Sequence, residues 1–232
     1  MPRTPQVLTV VDQDKLLHQL RNEKGTVKQV RRGLRNYSMA VMMIEAGVRV
    51  GELVKLAWSD VFYDSRPCTS TIIRAAIAKN RQERTIPVSQ RLCEALTEYH
   101  LWYGPQVSPS ANHYLFFVLR PSNPIAVRQA ERIIDSAGRA SLGRPINPHL
   151  LRHTFATRLM RVSNVRVLQQ LLGHTCLSST QVYTHPDHQD LTQAIARSEK
   201  FTRDLEGSLP ASTLLHRRPD RHDATGTDHH HR

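Results

Sequence analysis

The chain has 232 residues, with 32 Lys and Arg against 20 Asp and Glu, which gives a formal charge of +12 at pH 7. That length holds one sizeable hydrophobic core or two small ones, and the dispersed cationic excess favours an anionic polymer as partner. No apolar run long enough for a secretory leader opens the chain and none approaches the ~18 residues of a membrane span; Cys68, Cys93 and Cys176 fit reduced thiols better than a disulfide framework, so the reading is a soluble, cytoplasmic protein with no membrane partner.

Leu16, Leu17 and Leu20 stand at helical spacing after Asp12 and Asp14, which predicts an opening helix between Leu8 and Leu20. A second helix is predicted from about Leu34 to Ala46, apolar nearly all round between Met39 and Ile44, with Gly47 as its stop. A further helical stretch around Glu52 to Trp58 precedes the β-branched segments TSTIIRAAI and RTIPV, which read as a hairpin across the polar turn KNRQE. Ser89 caps a helix carrying Leu92, Leu96 and Tyr99 on one face, a loop with Gly104, Pro105, Pro109 and Ser110 follows, and YLFFVL reads as a short strand or extended core segment.

The pattern turns helical again from Val127 to Ala137, and the loop GRASLGRPINP leads to Asn147 as N-cap with Pro148 at the first helical position. Further helices are predicted at about Val165 to Leu172, Ser178 to Thr184 (Ser178 and Gln181 spaced as a capping box) and Leu191 to Phe201. Beyond Asp204 the sequence is polar, rich in breakers and without periodicity, and reads as a largely disordered tail. The elements add up to a mainly α fold with a small antiparallel β-sheet, α+β in class.

Four segments carry groups suited to phosphate chemistry. They are AGVRVGELVKLAW with Arg49, AKNRQERTIPV with Lys79, HLLRHTFATRLM with His149 and Arg152, and LLGHTCLSSTQVYTH with His174 and Tyr183. On the helix after Asn147, His149, Arg152 and His153 stand at i, i+3 and i+4, apart from the Leu151, Phe155 and Leu159 stripe, so that polar face is read as presented to solvent. His149 and His153 lack the Glu that a zinc-protease helix places between its histidines, and no metal or other cofactor is expected. His174 follows the helix stop Gly173, and Tyr183 lies nine positions later among polar neighbours.

In order and spacing the four segments together resemble the tyrosine recombinase, or phage integrase, family across roughly Leu8 to Lys200. That family's first motif is an apolar turn followed by Arg, one residue, Gly or Ser, and Glu, matched by Arg49, Gly51 and Glu52. Its hairpin lysine lies in a turn of the type GKGNKER, which aligns without a gap and falls on Lys79, with Ala78 and Asn80 where the family has glycines. His149 and Arg152 match its His-x-x-Arg pair, His174 its Leu-Gly-His histidine, and Tyr183 its nucleophile.

The resemblance implies the recombinase catalytic-domain fold over residues 1–203, a tail over 204–232, and no N-terminal DNA-clamping domain ahead of it, as in the short recombinases that invert fimbrial promoters. It implies site-specific recombination of double-stranded DNA, by integration, excision, inversion or resolution, through a 3′-phosphotyrosyl link. Arg49 and Arg152 would clamp the phosphate, His149 and His174 would donate to it, Lys79 would protonate the leaving 5′ oxygen, and Glu52 would support the site. The implied assembly is a homotetramer on paired sites, with accessory DNA-bending proteins as further partners and Leu191 and Ile195 able to face a neighbouring subunit. A DNA-binding regulator or remnant that does not complete strand exchange is the alternative within the binding class, and a type IB topoisomerase the alternative with the same tyrosine chemistry.

Overall fold

In the computed structural model, residues 7–107 and 113–173 are described; they lie in the first of two units into which the chain divides, Met1–His185 and Pro186–Arg232. The expected helices at 178–184 and 191–201, the 204–232 tail, Leu191 and Ile195, and also His174, Cys176 and Tyr183 fall outside the described residues.

Thr9 and Asp12 open α1 (Val10–Arg21) with a reciprocal capping box, the Thr9 hydroxyl accepting from the Asp12 N–H at 3.1 Å. Leu16, Leu17 and Leu20 are buried as their spacing predicts, packed on α2 (Val27–Ala46). That second helix begins two turns earlier than its apolar run, because Thr26 and Gln29 form another capping box ahead of the polar first turns. Met39 to Ile44 are fully buried on every side, enclosed by α1 and by two later helices, Gln90–Tyr103 and Pro148–Met160. α2 is thus the axis on which these three helices are laid.

The stretch after Gly47 is less helical than its sequence suggests. Only a single turn forms, α3 (Val50–Leu53), followed by a 3-10 turn at Trp58–Asp60. The Ala57 N–H donates to the Asp60 carboxylate at 2.8 Å, an Asp cap that fixes this shorter turn in place of a longer helix.

Two separate two-stranded antiparallel ribbons follow. β1 (Phe62–Tyr63) and β2 (Arg66–Pro67) are joined by Asp64 and Ser65, both left-handed at φ 47° and 61°, the backbone a two-residue hairpin needs; the sequence reading missed this ribbon. β3 (Ser70–Ile73) and β4 (Arg84–Pro87) form the predicted hairpin, in register Ser70 to Pro87 and Ile73 to Arg84. Residues 74–77, expected in the strand, instead coil back through N–H bonds from Ile77 and the following Ala78 to the Arg74 carbonyl, so the connecting loop is longer than KNRQE. The left-handed residue of that loop is Arg81 at φ 55°.

Ser89 caps α4 (Gln90–Tyr103), which buries Leu92, Leu96 and Tyr99. Tyr99 stacks on Tyr103 at 4.4 Å and donates to the Leu115 carbonyl at 2.7 Å, anchoring an extended core segment in which Leu115, Phe116 and Phe117 are buried. Isolated bridges at Tyr114 and Phe117, with no regular strand, are what YLFFVL becomes.

α5 (Val127–Leu142) runs five residues past its predicted end to a left-handed Gly143. Gly138 inside it is a close-packing position, since a Cβ there would stand 2.3 Å from Ile146 Cγ1. Asn147 caps α6 (Pro148–Met160) with Pro148 in its first turn, as the sequence predicts, and α7 (Val165–Leu172) has its predicted bounds, with Asn164 as its cap. Phe155, Ala156, Leu168 and Leu172 make a small second core between these two helices. The architecture is mainly α with small antiparallel β elements. No helix among the described residues is long and apolar enough to cross a membrane, and Cys68 and Cys93 are free, half-buried thiols.

Candidate active site

The chain turns sharply at the end of α2, and that turn sets the first arginine. Gly47 takes φ +60°, and a Cβ on it would lie 2.3 Å from Phe155 Cδ1 on α6, so both conformation and space require glycine. Two residues later Arg49 is the N-cap of α3. Its backbone N–H donates to Glu52 Oε2 at 3.0 Å, and its Nη1 donates to Glu52 Oε1 at 3.0 Å.

Glu52 is only 1% exposed and is gripped from the other side by Arg84 at the start of β4. Arg84 Nη1 donates to Oε1 at 3.1 Å and Nη2 to Oε2 at 2.6 Å, the two-pronged geometry in which a guanidinium binds a carboxylate most strongly. Arg84 Nε donates in turn to the Leu171 carbonyl at 3.0 Å. Burial alone would raise the Glu52 pKa, but the Arg84 hydrogen bonds and charge, with the Arg49 N–H and guanidinium, hold it at about 2.

A carboxyl whose pKa falls on folding stabilises the protein above its unfolded value and loses that contribution as pH drops through the folded value. For Glu52 the window runs from 4.5 down to about 2, and the contribution is about 3 kcal/mol. Thermal melting followed from pH 5 to pH 2 should fall progressively in the wild type, with the Glu52 share of that fall missing in Glu52→Gln. Parallel curves for the two proteins would show that the carboxylate is not so held.

Arg152 reaches the same place from α6. Its Nη1 donates to the Gly47 carbonyl and its Nη2 to the Leu172 carbonyl at 2.8 Å. Arg49 Nη1 donates to that same Leu172 oxygen at 3.3 Å, so two guanidinium groups converge on one carbonyl at the C-terminal end of α7, where helix carbonyls lack intrahelical partners. Contrary to the presented face expected from the sequence, Arg152 is 6% exposed. The cause is long-range: α6 leans on the Gly47 turn and on α7, and their carbonyls supply the acceptors that make burial of the charge tolerable.

Lys79 is exposed on the β3–β4 loop, and its neighbour Asn80 ties that loop to the cluster by donating from Nδ2 to the Gly173 carbonyl at 3.1 Å. The side chain that replaces a family glycine therefore makes a contact a glycine cannot. His149 is exposed on the first turn of α6, one turn before Arg152. His174 and Tyr183 lie outside the described residues, His174 directly after the left-handed Gly173 that ends α7.

Arg84 is the member of the cluster that the sequence reading missed. A signal for it was present: strand alternation puts Arg84 on the same face as buried Ile86, with Thr85 and Pro87 outward. A charge on the inner face of a strand calls for a buried partner, and Glu52 is that partner. Among the described residues no group of three or more His, Cys, Asp and Glu is placed to hold a metal ion.

Tyrosine recombinase XerC of Pediococcus pentosaceus is 33% identical over 165 residues, which cover 69% of this chain and 53% of that protein. The chain thus spans about half the length of that relative. The crystal structure of XerA recombinase superposes with a TM-score of 0.66 at 27% identity, over 85% of this chain and 66% of that one. The catalytic domain of bacteriophage HP1 integrase shares the fold, with a TM-score of 0.53 at 23% identity over 82% of this chain and 93% of that one. The phage integrase family model matches residues 6–190, and on that match, with the arginine cluster as its physical counterpart, the chain belongs to the phage integrase family, the tyrosine recombinases.

Proposed function

We propose that this chain is the catalytic part of a site-specific recombinase that cuts and rejoins double-stranded DNA with Tyr183 as nucleophile. The observation that carries the reading is the convergence of Arg49 and Arg152 on one carbonyl, with the Lys79 loop tethered by Asn80 to the residue before His174.

Cleavage of a phosphodiester needs a nucleophile, charge stabilisation around the phosphorus and a proton for the departing oxygen. Arg49 and Arg152 supply fixed positive charge for the non-bridging oxygens, which carry the most negative charge in the pentacovalent transition state. His149 and His174 donate to the same oxygens, and His149 takes the proton of the Tyr183 phenol as general base, the role the family resemblance implies for it. The Tyr183 oxygen attacks phosphorus, the bond to the 5′ oxygen breaks, and Lys79 gives that oxygen its proton. A 5′ hydroxyl from another strand then attacks the 3′-phosphotyrosyl link and releases the tyrosine. One phosphoester bond is exchanged for another in each step, so the cycle consumes no ATP and calls for no cofactor.

Residues 1–203 form the catalytic region in this reading and 204–232 its tail. A tetramer of this chain on two aligned sites is the assembly that strand exchange between duplexes calls for, with DNA-bending proteins as accessory partners. XerH recombinase, 25% identical, has been captured on its own difH substrate before and after cleavage, which supports a duplex as the substrate here.

The test is a nicked duplex from the DNA flanking the gene, on which cleavage sheds the short 5′ end and traps the covalent product. With chelator present, an SDS-resistant protein–DNA adduct should form, and mass analysis of its digest should place the nucleotide on Tyr183. Salt-sensitive binding without an adduct would overturn the catalytic reading and favour a DNA-binding regulator.

A further inference from the structure

Three consecutive carbonyls close the C-terminal end of α7, and each accepts from a side chain carried in by another element. Arg84 Nε on β4 donates to Leu171 at 3.0 Å, Arg49 and Arg152 donate to Leu172 at 3.3 and 2.8 Å, and Asn80 Nδ2 donates to Gly173 at 3.1 Å. Carbonyls at a helix end have no intrahelical donor, so these bonds replace only water. The β3–β4 hairpin is therefore fastened to α7 twice. Arg84 holds it where β4 begins, and Asn80 holds it midway along the 74–83 loop, one residue from Lys79.

An asparagine serves a tight loop either through its tolerance of left-handed backbone or through its side-chain amide. Here the left-handed residue is Arg81 at φ 55°, and Asn80 itself has no positive φ, so the position uses the amide. That amide makes three bonds: Nδ2 donates to the Gly173 carbonyl and to Gln82 Oε1 at 3.3 Å, and Oδ1 accepts from the Gln82 N–H at 3.4 Å. On the other side of Lys79, Ala78 is buried and its carbonyl accepts from the Arg81 N–H at 3.1 Å. Lys79 thus projects, exposed, from between two held residues.

We infer that Asn80 is a positioning residue for proton transfer from Lys79, pinning the donor's loop to the chain just ahead of His174. The inference rests on the recombinase reading above. As the bond from the Tyr183 oxygen to phosphorus forms and the bond from phosphorus to the 5′ oxygen breaks, that oxygen takes a proton from Lys79 Nζ, which is left as a neutral amine. Such a transfer works only within about 3 Å. A misplacement of about 1 Å costs on the order of a hundredfold in rate, and a lysine side chain is too flexible to fix its own ammonium. Arg84 anchors the strand but leaves the middle of the loop free to swing. The Asn80 bond removes that freedom, and it ties the proton donor to the same helix end that orders Arg49 and Arg152.

The experiment uses the full chain and the trapping duplex in two forms that differ in one atom, oxygen or sulfur at the 5′ bridging position of the scissile phosphate. A thiolate departs without a proton, so the sulfur duplex bypasses the acid. Single-turnover cleavage is measured for wild type, Asn80→Ala, Gln82→Ala and Lys79→Ala. Asn80→Ala should lose about tenfold to a hundredfold on the oxygen duplex and stay within about threefold of wild type on the sulfur duplex, with duplex affinity and melting temperature close to wild type. Gln82→Ala keeps the bond to Gly173 and should cleave both duplexes nearly as wild type does. Lys79→Ala should show the larger oxygen-specific loss and the same recovery with sulfur. An Asn80→Ala loss equal on both duplexes, no loss on either, or a Gln82→Ala loss as large overturns the inference, and sulfur recovery of Lys79→Ala in the same series leaves the recombinase reading standing. A Lys79→Ala loss that sulfur does not relieve takes the acid away from Lys79 and overturns both together.

Discussion

Arg152→Ala should lower cleavage of the trapping duplex by about a thousandfold or more, the scale lost when one preorganised donor to a developing oxyanion is removed, with duplex affinity changed by less than about tenfold. The asymmetry follows from where the charge grows. A ground-state phosphodiester carries one negative charge shared over two oxygens, which many surface cations can attract, whereas the transition state concentrates further charge within reach of this one side chain. Arg152→Lys should recover little of the loss: Arg152 spans the Gly47 and Leu172 carbonyls with two nitrogens at once, and an ammonium offers a point charge without that planar fork. Single-turnover cleavage rates measured beside binding constants decide the matter. A lysine variant as fast as wild type, or an affinity loss as large as the rate loss, would remove Arg152 from the clamp.

Arg84→Ala should destabilise the protein by about 3 to 5 kcal/mol, the range for removing one partner of a buried ion pair. The alanine leaves a carboxylate that is 1% exposed facing a void where two charged hydrogen bonds stood. For a domain of this size the melting temperature should fall by roughly 10 °C. Replacing both partners, as Glu52→Leu/Arg84→Met, should restore much of the stability, because apolar residues of similar volume incur no desolvation penalty. Cleavage should stay low in that double variant, since Arg49 has lost the carboxylate that orients it. Melting of Arg84→Ala within about 2 °C of wild type would show that the buried pair contributes little.

What was legible in the sequence follows the range of the forces involved. Gly47, Ser89, Asn147 with Pro148, and the whole of α7 were readable because a cap or a glycine stop acts within four residues of itself. The first turns of α2 were missed because their residues are polar, and only the Thr26–Gln29 box announces them. α5 overran its predicted end because Gly138 looked like a breaker, while the fold uses it to let Ile146 approach the helix.

For the site, motif spacing pointed to Arg49, Lys79, His149 and Arg152, and the structure gathers Arg49 and Arg152 directly and brings the Lys79 loop alongside through Asn80. Spacing could not reveal that Arg152 is buried or that Glu52 and Arg84 form a pair 32 residues apart, because both depend on carbonyls and charges brought in from other elements. Alternation on β4 was the one local trace of that pairing.

The carbonyl of Leu172, shared by Arg49 and Arg152, also bears on timing. A free arginine side chain loses about 2 kcal/mol of rotamer freedom when it is fixed. Here both chains are already confined by the end of α7 before any nucleic acid arrives, so their ordering entropy is a charge against folding and not against association. On the recombinase reading, docking a phosphate then swaps one oxygen acceptor for another around side chains already ordered, and the first encounter between protein and duplex is left to diffusion and charge.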